Sequence, residues 1–263
     1  MEIIENNAND CWLQLLNIVV KNGRLTLPRG YKCLEHMNVH TEFPMSQPIV
    51  TCSARKLGYK FMYAEAFFIL SGGFLVSDIA PWSKKISNYS DDGVTFFGAY
   101  GPKVQEQLQY VVQTLFKDPW SRQAVMTIWR ENPPPTKDVP CTISIQFLIR
   151  DNKLHCIDNM RSSDLWMGFP YDVFNFSMLS SMVILDYYQL TGVHLELGNL
   201  YMNLGSAHIY SQQFDDVHFV LTSPEGCEEK FNYFPIDPVR DYGETDNLLK
   251  YLYIMRDKGV DNG

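Results

Sequence analysis

The sequence predicts an α/β fold of the α+β kind, with a mixed β-sheet flanked by helices. Two patterns predict it. Apolar residues alternate from Ile143 to Ile149, which is typical of a half-buried strand. Apolar residues recur at helical spacing over residues 9–22, 57–70, 103–117 and 171–190. Because no repeat, low-complexity tract or linker interrupts these segments, residues 1–263 are expected to form one domain.

Composition limits the classes of function. The chain has 263 residues, of which 46% are hydrophobic, enough for a substantial core. The formal net charge is −8, the pI is about 5.2, and no long basic block is present. A nucleic-acid polymer is therefore not expected as a partner, although a local arginine cluster could hold one small phosphate.

The sequence also predicts the cellular compartment of the protein. It starts with an acidic segment rather than a basic one, so no signal peptide is expected. No apolar run approaches the roughly 20 residues that cross a bilayer. The six cysteines have no CxxC spacing, so we expect reduced thiols and no metal site. These features predict a cytoplasmic protein without a membrane segment.

The first half of the chain contains two predicted helices. The first, over 9–22, stops at Gly23, and a turn at residues 28–30 leads into an irregular extended stretch that reaches Gln47. The second helix, 57–70, ends at a glycine pair and carries Glu65 among apolar neighbours. That carboxylate either points outward or is prepared by burial for proton transfer.

The middle of the chain leads to the segment on which the interpretation depends. Helix 103–117 is followed by a strand over 124–129 and by a loop rich in proline. Cys141 then opens the alternating strand, with Ile143, Ile145, Phe147 and Ile149 expected on one face. A thiol at the mouth of a strand is a candidate nucleophile, and a buried core cysteine is the alternative.

The last third continues the alternation of strands and helices. A hairpin turn at 151–153 leads to a strand over 154–160, and Pro170 starts the long helix with Asp172 in its first turn. An acid there is commonly an ordinary partner of the helix dipole. A strand is predicted over 195–205, a further helix from Gly205 to Tyr210, and a C-terminal helix near 244–257.

Several short motifs, taken together, resemble the thymidylate synthase superfamily from about Arg29 to Tyr210. They are Pro119-Trp120-Ser121-Arg122-Gln123, Pro140-Cys141-Thr142 with Gln146-Phe147, Arg161-Ser162-Ser163-Asp164, Gly168-Phe169-Pro170-Tyr171-Asp172, and Ser206-Ala207-His208-Ile209-Tyr210. The resemblance implies the thymidylate synthase fold in a single catalytic domain. It also implies a homodimer that packs sheet to sheet.

The same resemblance implies a role for each matched side chain. Cys141 would add to C6 of a pyrimidine nucleoside monophosphate, and Glu65 would move protons. Residues implied to bind the nucleotide are Arg29, Arg122, Arg161, Ser162, Gln146, His208 and Tyr210, with Arg122 supplied by the partner subunit. Residues implied to bind the co-substrate 5,10-methylenetetrahydrofolate are Trp82, Tyr100, Asp164 and Gly168.

Departures from the family pattern narrow the range of expected substrates. Asp172 stands where thymidylate synthases use an asparagine to read uracil, and a carboxylate accepts from the amino group of cytosine instead. Thr142 replaces a histidine, Gln123 replaces an arginine, and the chain ends without an apolar tail. This pattern resembles the deoxycytidylate and cytidylate 5-hydroxymethylases, in which water adds to the one-carbon unit.

Other functions remain open at this point. One alternative is a thymidylate synthase or a dUMP hydroxymethylase, and another is a CMP hydroxymethylase of antibiotic biosynthesis. A third is an inactive homologue that binds nucleotide or RNA. Arg122 and Ser162 match the deoxyribonucleotide pattern, which favours dCMP and a phage-encoded enzyme acting in the host cytoplasm.

Overall fold

The structure is a computed structural model that describes residues 1–223 and 235–259. Its strands are β1 (Glu2–Ile4), β2 (Arg24–Thr26), β3 (Cys33–Pro44), β4 (Val125–Thr127), β5 (Thr142–Arg150), β6 (Lys153–Met160), β7 (Ser163–Asp164) and β8 (Glu196–Tyr210). They form one sheet in the order β1-β3-β8-β6-β5-β4, with β2 on β3 and β7 on β8. Because β8 is antiparallel to β3 and parallel to β6, the sheet is mixed.

Helices cover one face of this sheet. They are α1 (Ala8–Asn22), α2 (Tyr59–Leu70), α3 (Tyr100–Lys117), α4 (Phe169–Thr191), α5 (Phe214–Thr222), α6 (Pro238–Asp241) and α7 (Thr245–Lys258). The Asn7 side chain caps α1 by accepting from the backbone N–H of Asp10 at 2.8 Å. The central helix α4 is buried over most of its length and ends at Gly192, whose φ of 70° suits glycine.

The two faces of the sheet differ in polarity. Ile145 and Phe147 of β5 are fully buried on the face that the helices cover. On the opposite face four polar side chains form a ladder across four adjacent strands: His40, Asn203, Asn159 and Ser144. Hydrogen bonds of 2.6, 2.8 and 3.1 Å join them in that order. This polar ladder is at least partly exposed, so the described chain leaves a hydrogen-bonding surface here.

The predicted fold class is confirmed, since a mixed sheet is flanked by helices, whereas two local predictions are wrong. The stretch up to Gln47 is mostly the long strand β3, and Gly205–Tyr210 extends β8 instead of opening a helix. Both errors have one cause, because β3 and β8 pair from Cys33 with Tyr210 to Pro44 with Asn199. This pairing joins residues far apart in sequence, which local patterns do not reveal.

The prediction of which residues lie on the buried face of β5 is also wrong at the start of the strand. Ile143 is 40% exposed rather than buried with Ile145, and Thr142 is buried in its place. The register shifts between Thr142 and Ser144, so β5 has one more residue than β6 at this point. A β-bulge of this kind turns the residues before it to the other face, and it lies immediately after Cys141.

Two expectations about environment can be compared with the structure. None of the described helices is long and apolar enough to cross a membrane. Cys11, Cys33, Cys141 and Cys156 are free thiols, whereas Cys52 is disulfide-bonded, so the expectation of reduced cysteines is wrong there. Cys227 and the last four residues of the chain lie outside the described residues.

Candidate active site

The thiol of Cys141 lies at the start of β5 beside two polar groups. Its Sγ is 3.9 Å from Nη2 of Arg161 and 3.8 Å from Oγ of Ser162. Burial raises the pKa of Cys141, the positive charge of Arg161 lowers it, and the negative charge of Asp172 raises it. The thiol is partly exposed, so it is both accessible and next to a cation that favours the thiolate.

Backbone carbonyls hold the Arg161 side chain in position. Its Nε donates to the carbonyl of Pro140 at 2.9 Å, and its Nη2 donates to the carbonyl of Val139 at 2.8 Å. Its Nη1 donates to Oγ of Ser162 at 3.0 Å. The guanidinium therefore ties the loop before Cys141 to the strand end after β6, and it remains exposed to bind an anion.

Asp172 lies in the first turn of α4, near Asp164. Burial raises the pKa of Asp172 to about 7, and the charge of Asp164 adds to this rise. Oδ1 of Asp164 accepts from the backbone N–H groups of Trp166 and Met167, both at 2.9 Å. A Cβ at Gly168 would lie 3.4 Å from Oδ2 of Asp172 and 3.3 Å from the Asp164 carbonyl, so a larger residue would crowd both acids.

Glu65 reaches the same region from α2. Its Oε2 accepts from Nδ2 of Asn175 at 2.8 Å, and Asn175 lies one turn after Asp172 on α4. Burial raises the pKa of Glu65 to about 7, the Asn175 bond lowers it, and the charge of Asp172 raises it. Two acids with a pKa near 7 therefore face each other across two helices, which suits proton transfer at neutral pH.

Tyr100, at the start of α3, connects to the nucleophile segment. Its hydroxyl accepts from the backbone N–H of Thr142 at 2.9 Å. Burial raises the pKa of Tyr100 well above its ordinary value, and the charges of Cys141 and Asp172 raise it further. The phenol therefore stays neutral and can donate its proton into the site.

His208 and Tyr210 stand near the end of β8. The His208 ring lies edge-on to the Tyr210 ring with centroids 5.1 Å apart, and Tyr210 in turn meets Tyr31 at 6.3 Å. β7 runs beside this segment, with Asp164 paired opposite His208. The pairing brings His208 and Tyr210, both predicted to bind the nucleotide, to the same end of β8 as Asp164.

Two of the residues predicted to bind the nucleotide, Arg29 and Arg122, have exposed side chains. Arg29 lies on an exposed turn with a left-handed φ of 53°, and Arg122 is exposed before β4. In the described ranges neither guanidinium forms a hydrogen bond or an ion pair. Gln146 is bound by its amide to the Arg122 carbonyl at 2.8 Å, which fixes the segment carrying Arg122.

Trp82 lies in a separate aromatic cluster. The guanidinium of Arg256 lies 4.5 Å from the Trp82 ring centroid, and it also faces the rings of Phe67 and Tyr253. Trp82 and Arg256 line a cavity of about 330 Å³ beside α2. Among the described residues Trp82 has no contact with Asp164 or Gly168, the other residues predicted to bind folate.

The sequence is similar to that of known proteins. Residues 10–232 match the family model described as thymidylate synthase. The chain belongs to the thymidylate synthase family. A deoxyuridylate hydroxymethyltransferase of Bacillus phage SP01 is 29% identical over 228 residues. The alignment covers 77% of this chain and 57% of that relative, so the chain spans little more than half of the relative's length.

Every residue predicted for the site lies within residues 10–232, the part of the chain that matches the thymidylate synthase family. The structure brings Cys141, Arg161, Ser162, Glu65 and Asp172 into one cluster. Asp164, Gly168 and Tyr100 join that cluster, and His208 and Tyr210 flank it. Arg29 acts on the same neighbour, Tyr89, as Cys141 and Asp164. Gln146 contacts the segment of Arg122, and Trp82 contacts Arg256.

Sequence reasoning missed three residues of this thymidylate synthase site. Asn175 binds Glu65, and its spacing of three from Asp172 was a signal available in the sequence. Tyr89 is partly exposed, and burial raises its pKa, as do Asp164, Tyr210 and Cys141, while Arg29 lowers it. Asp158 is fully buried on β6, where alternation predicts a core side chain and gives no hint of an acid.

A metal centre has little support here. Within residues 1–223 and 235–259 no group of three or more histidine, cysteine or acidic side chains could hold a metal ion. The clustered acids are instead close to an arginine and to amide or hydroxyl groups. The site therefore offers proton transfer and a thiol nucleophile.

Proposed function

We propose that this protein is a folate-dependent hydroxymethyltransferase that converts a cytosine nucleotide, preferentially dCMP, to its 5-hydroxymethyl derivative. The observation that carries the proposal is the acid Asp172, in the motif where the family reads its base with an asparagine. Residues 1–263 would act as one catalytic domain of the thymidylate synthase kind. The name of the phage relative supports hydroxymethyl transfer as the reaction class.

The protonation of Asp172 decides how it reads a base. With a pKa of about 7, the carboxyl can hold or release one proton at neutral pH. Cytosine presents an acceptor at N3 and a donor at N4, so one proton shared by N3 and the carboxyl completes two hydrogen bonds. Uracil presents a donor at N3 and an acceptor at O4. An ionised carboxylate leaves O4 unpaired at a cost in binding, whereas a neutral carboxyl can donate to O4, so the proposed discrimination depends on the ionised form of Asp172 facing a protonated N3 of cytosine.

Cys141 would begin the reaction. Its thiolate would form a bond to C6 of the pyrimidine, and the electrons of the C5–C6 double bond would then make C5 nucleophilic. Arg161 at 3.9 Å and Ser162 at 3.8 Å stabilise the thiolate against its burial. The same pair could bind the nucleotide phosphate, since the guanidinium remains exposed.

The residues present fit the folate co-substrate. Oδ1 of Asp164 is occupied by two backbone N–H groups, while Oδ2 has no hydrogen-bond partner in the part of the chain that the structure describes. That oxygen could accept from a pterin N–H, and Gly168 leaves space beside it. Bound methylenetetrahydrofolate would supply the one-carbon unit. Tyr100 would border the site, whereas a role for Trp82 would require movement of Arg256.

Glu65 would control the water and the proton at C5. In its ionised form it can accept the C5 proton or activate a water molecule, and in its neutral form it can return a proton. The hydrogen bond from Asn175 fixes Oε2, which leaves Oε1 for this exchange. Transfer of the one-carbon unit to C5 would be followed by loss of the C5 proton to Glu65 and release of tetrahydrofolate, which leaves an exocyclic methylene group. Addition of one water molecule to this exocyclic carbon, as Cys141 is expelled from C6, would then give the hydroxymethyl product.

The phosphate end of the site supports a dimer. Arg29 and Arg122 are exposed and have no acidic partner within residues 1–223 and 235–259, and Arg122 is expected to act on the nucleotide of a partner subunit. The polar ladder of His40, Asn203, Asn159 and Ser144 offers the sheet surface through which two copies would pack. His208 and Tyr210 would bind the sugar 3′-hydroxyl, with Gln146 holding the Arg122 segment.

A second candidate function is hydroxymethylation of dUMP, which the name of the phage relative favours. Asp172 argues against it. Thymidylate synthesis, hydroxymethylation of CMP and binding without catalysis are further outcomes of the same test. We also propose that the enzyme is phage-encoded and acts in the host cytoplasm.

One competition experiment distinguishes these functions. The protein is mixed with methylenetetrahydrofolate and equal amounts of dCMP, CMP and dUMP, and the products are measured by mass spectrometry. A gain of CH2O on dCMP is the expected result. A gain of CH2O on dUMP, or of CH2, would overturn the assignment to cytosine, and the absence of any product would favour a binding protein.

A further inference from the structure

Three buried polar atoms without a partner lie close behind the nucleophile. Asp158 is 0% exposed, and among the described residues neither of its carboxyl oxygens has a hydrogen-bond partner. The same holds for the hydroxyl of Thr142, which is also 0% exposed. Buried polar groups are nearly always hydrogen-bonded, because leaving one unpaired costs stability. Because a carboxyl and a hydroxyl are both left unpaired here, we expect them to be hydrogen-bond partners of each other.

The bulge in β5 explains why these groups share a face. Asp158 is paired opposite Ile145, and Thr142 is paired opposite Met160 two residues further along β6. Three residue steps on β5 thus match two on β6, and Ile143 is the extra residue turned outward. In a regular strand the Thr142 side chain would lie on the opposite face from Ile145.

The surroundings of Asp158 favour its neutral form. Burial raises the pKa of Asp158 well above its ordinary value, the charge of Asp172 raises it further, and the Thr142 hydroxyl lowers it. The titratable groups around it are Asp172 from α4 and Cys156 on its own strand, with Tyr100 of α3 beyond Thr142. No cation in this set favours ionisation, so the carboxyl keeps an O–H donor.

Thr142 links this acid to the nucleophile. It follows Cys141 in the chain, and its backbone N–H donates to the Tyr100 hydroxyl at 2.9 Å. The Cys141 carbonyl in turn accepts from the Arg161 backbone N–H at 2.9 Å. The orientation of the thiol therefore depends on how the bulge is fixed at Thr142.

We propose that Asp158 is a positioning residue for Cys141. Its neutral carboxyl binds the Thr142 hydroxyl, directly or through one buried water molecule, and so fixes the bulge that presents the thiol to Arg161. This inference extends the proposed function, since it concerns the geometry of the nucleophile rather than the choice of base.

The test measures the thiol itself, without any substrate. The rate of Cys141 alkylation by iodoacetamide is followed from pH 6 to 10 by mass spectrometry of the peptide that carries it. Asp158→Leu and Thr142→Val remove the buried polar groups, and Asp158→Asn and Thr142→Ser are the matched conservative variants. Thermal unfolding is measured for all four, so that loss of the fold is recognised.

We expect Asp158→Leu and Thr142→Val to remain folded and to alkylate at least about fivefold more slowly or with a displaced midpoint pH, because Arg161 no longer faces the thiol. Asp158→Asn and Thr142→Ser should stay within about twofold of the unmodified protein, since both retain a donor and an acceptor.

Two results would overturn the inference. Unchanged alkylation in folded Asp158→Leu would mean that the acid has no effect on the thiol. A lower midpoint in Asp158→Asn would mean that Asp158 is ionised. Either result is obtained without nucleotide or folate, so the inference and the proposed function can fail independently.

Discussion

The proposed catalytic half of the site (Cys141, Glu65 and Asp172) and the proposed phosphate half (Arg29 and Arg122) are held in different ways. The catalytic side chains come from the start of β5 and from two packed helices, and hydrogen bonds and burial restrict them. Both arginines lie on exposed loop segments, and their guanidinium groups have no partner among residues 1–223 and 235–259.

This difference indicates which side chains must become ordered when the nucleotide binds. Groups that make and break bonds benefit from fixed geometry before the substrate arrives. Charged groups that hold a phosphate can be ordered by the ligand, and the cost is taken from the binding free energy. Variants in the catalytic half should therefore reduce turnover, and variants in the phosphate half should mainly weaken binding.

The largest effect is expected for Cys141→Ala. Without the thiol no bond to C6 forms, so turnover should fall by at least about 10³-fold. Nucleotide binding, measured by calorimetry, should persist because the other contacts remain. Substantial turnover in this variant would refute the nucleophile assignment, and Cys33→Ala, which removes another free thiol, serves as the control.

Glu65→Gln should reduce turnover by about 10²–10⁴-fold, since an amide cannot accept a proton. In the unmodified protein the rate should rise with pH through about 7, because deprotonation of Glu65 creates the base. The variant should lose this acid limb. Glu106→Gln, at an exposed position of α3, is the control, and an acid limb that persists in Glu65→Gln would assign it to another group.

Asp172→Asn tests how the base is read. An amide can donate to O4 and accept from N3–H, so the ratio of kcat/KM for dCMP to that for dUMP should fall by about 10²-fold. Competition assays with both nucleotides measure this ratio directly. If the ratio stays the same, Asp172 does not read the base.

Arg122→Ala addresses the phosphate half. Loss of one charge-assisted contact should raise KM for the nucleotide about tenfold and leave kcat nearly unchanged. Mixing this variant with Cys141→Ala should restore the lower KM for the nucleotide if Arg122 acts across a dimer, because one site of each mixed dimer then has both groups. Failure of the mixture in a sample that exchanges subunits would place Arg122 in its own subunit's site.

The smallest effect is expected for Asn175→Ala. The amide lowers the pKa of Glu65, so its removal should raise that pKa and move the acid limb to higher pH by about one unit or less. The pH profile of kcat/KM checks the direction. A shift to lower pH would contradict the bond between Asn175 and Glu65.

Sequence reasoning recovered the parts of the fold that local patterns determine. The helices around Glu65 and Asp172 follow from apolar spacing and from Pro170, and Cys141 lies at the mouth of a strand as predicted. The long pairing of β3 with β8 was missed, since register between distant strands depends on the whole sheet.

Part of the candidate site could likewise be predicted from the sequence. The residue types of Cys141, Arg161 and Asp164 can be found from their motifs, and the structure brings them together. Asn175 and Asp158 lie outside those motifs. Their roles depend on side-chain contacts between two helices or at a β-bulge. Those contacts are set by the packing of the folded chain.

The polar ladder has a direction. Asn203 accepts at Oδ1 from His40 and donates through Nδ2 to Asn159, which donates in turn to Ser144. The proton of His40 must therefore sit on Nδ1, and reversing any one amide would bring two like groups together. The four side chains behave as a single aligned dipole that spans four strands. In a second copy of the chain related by a twofold axis, the component of this dipole perpendicular to the axis would point in the opposite direction.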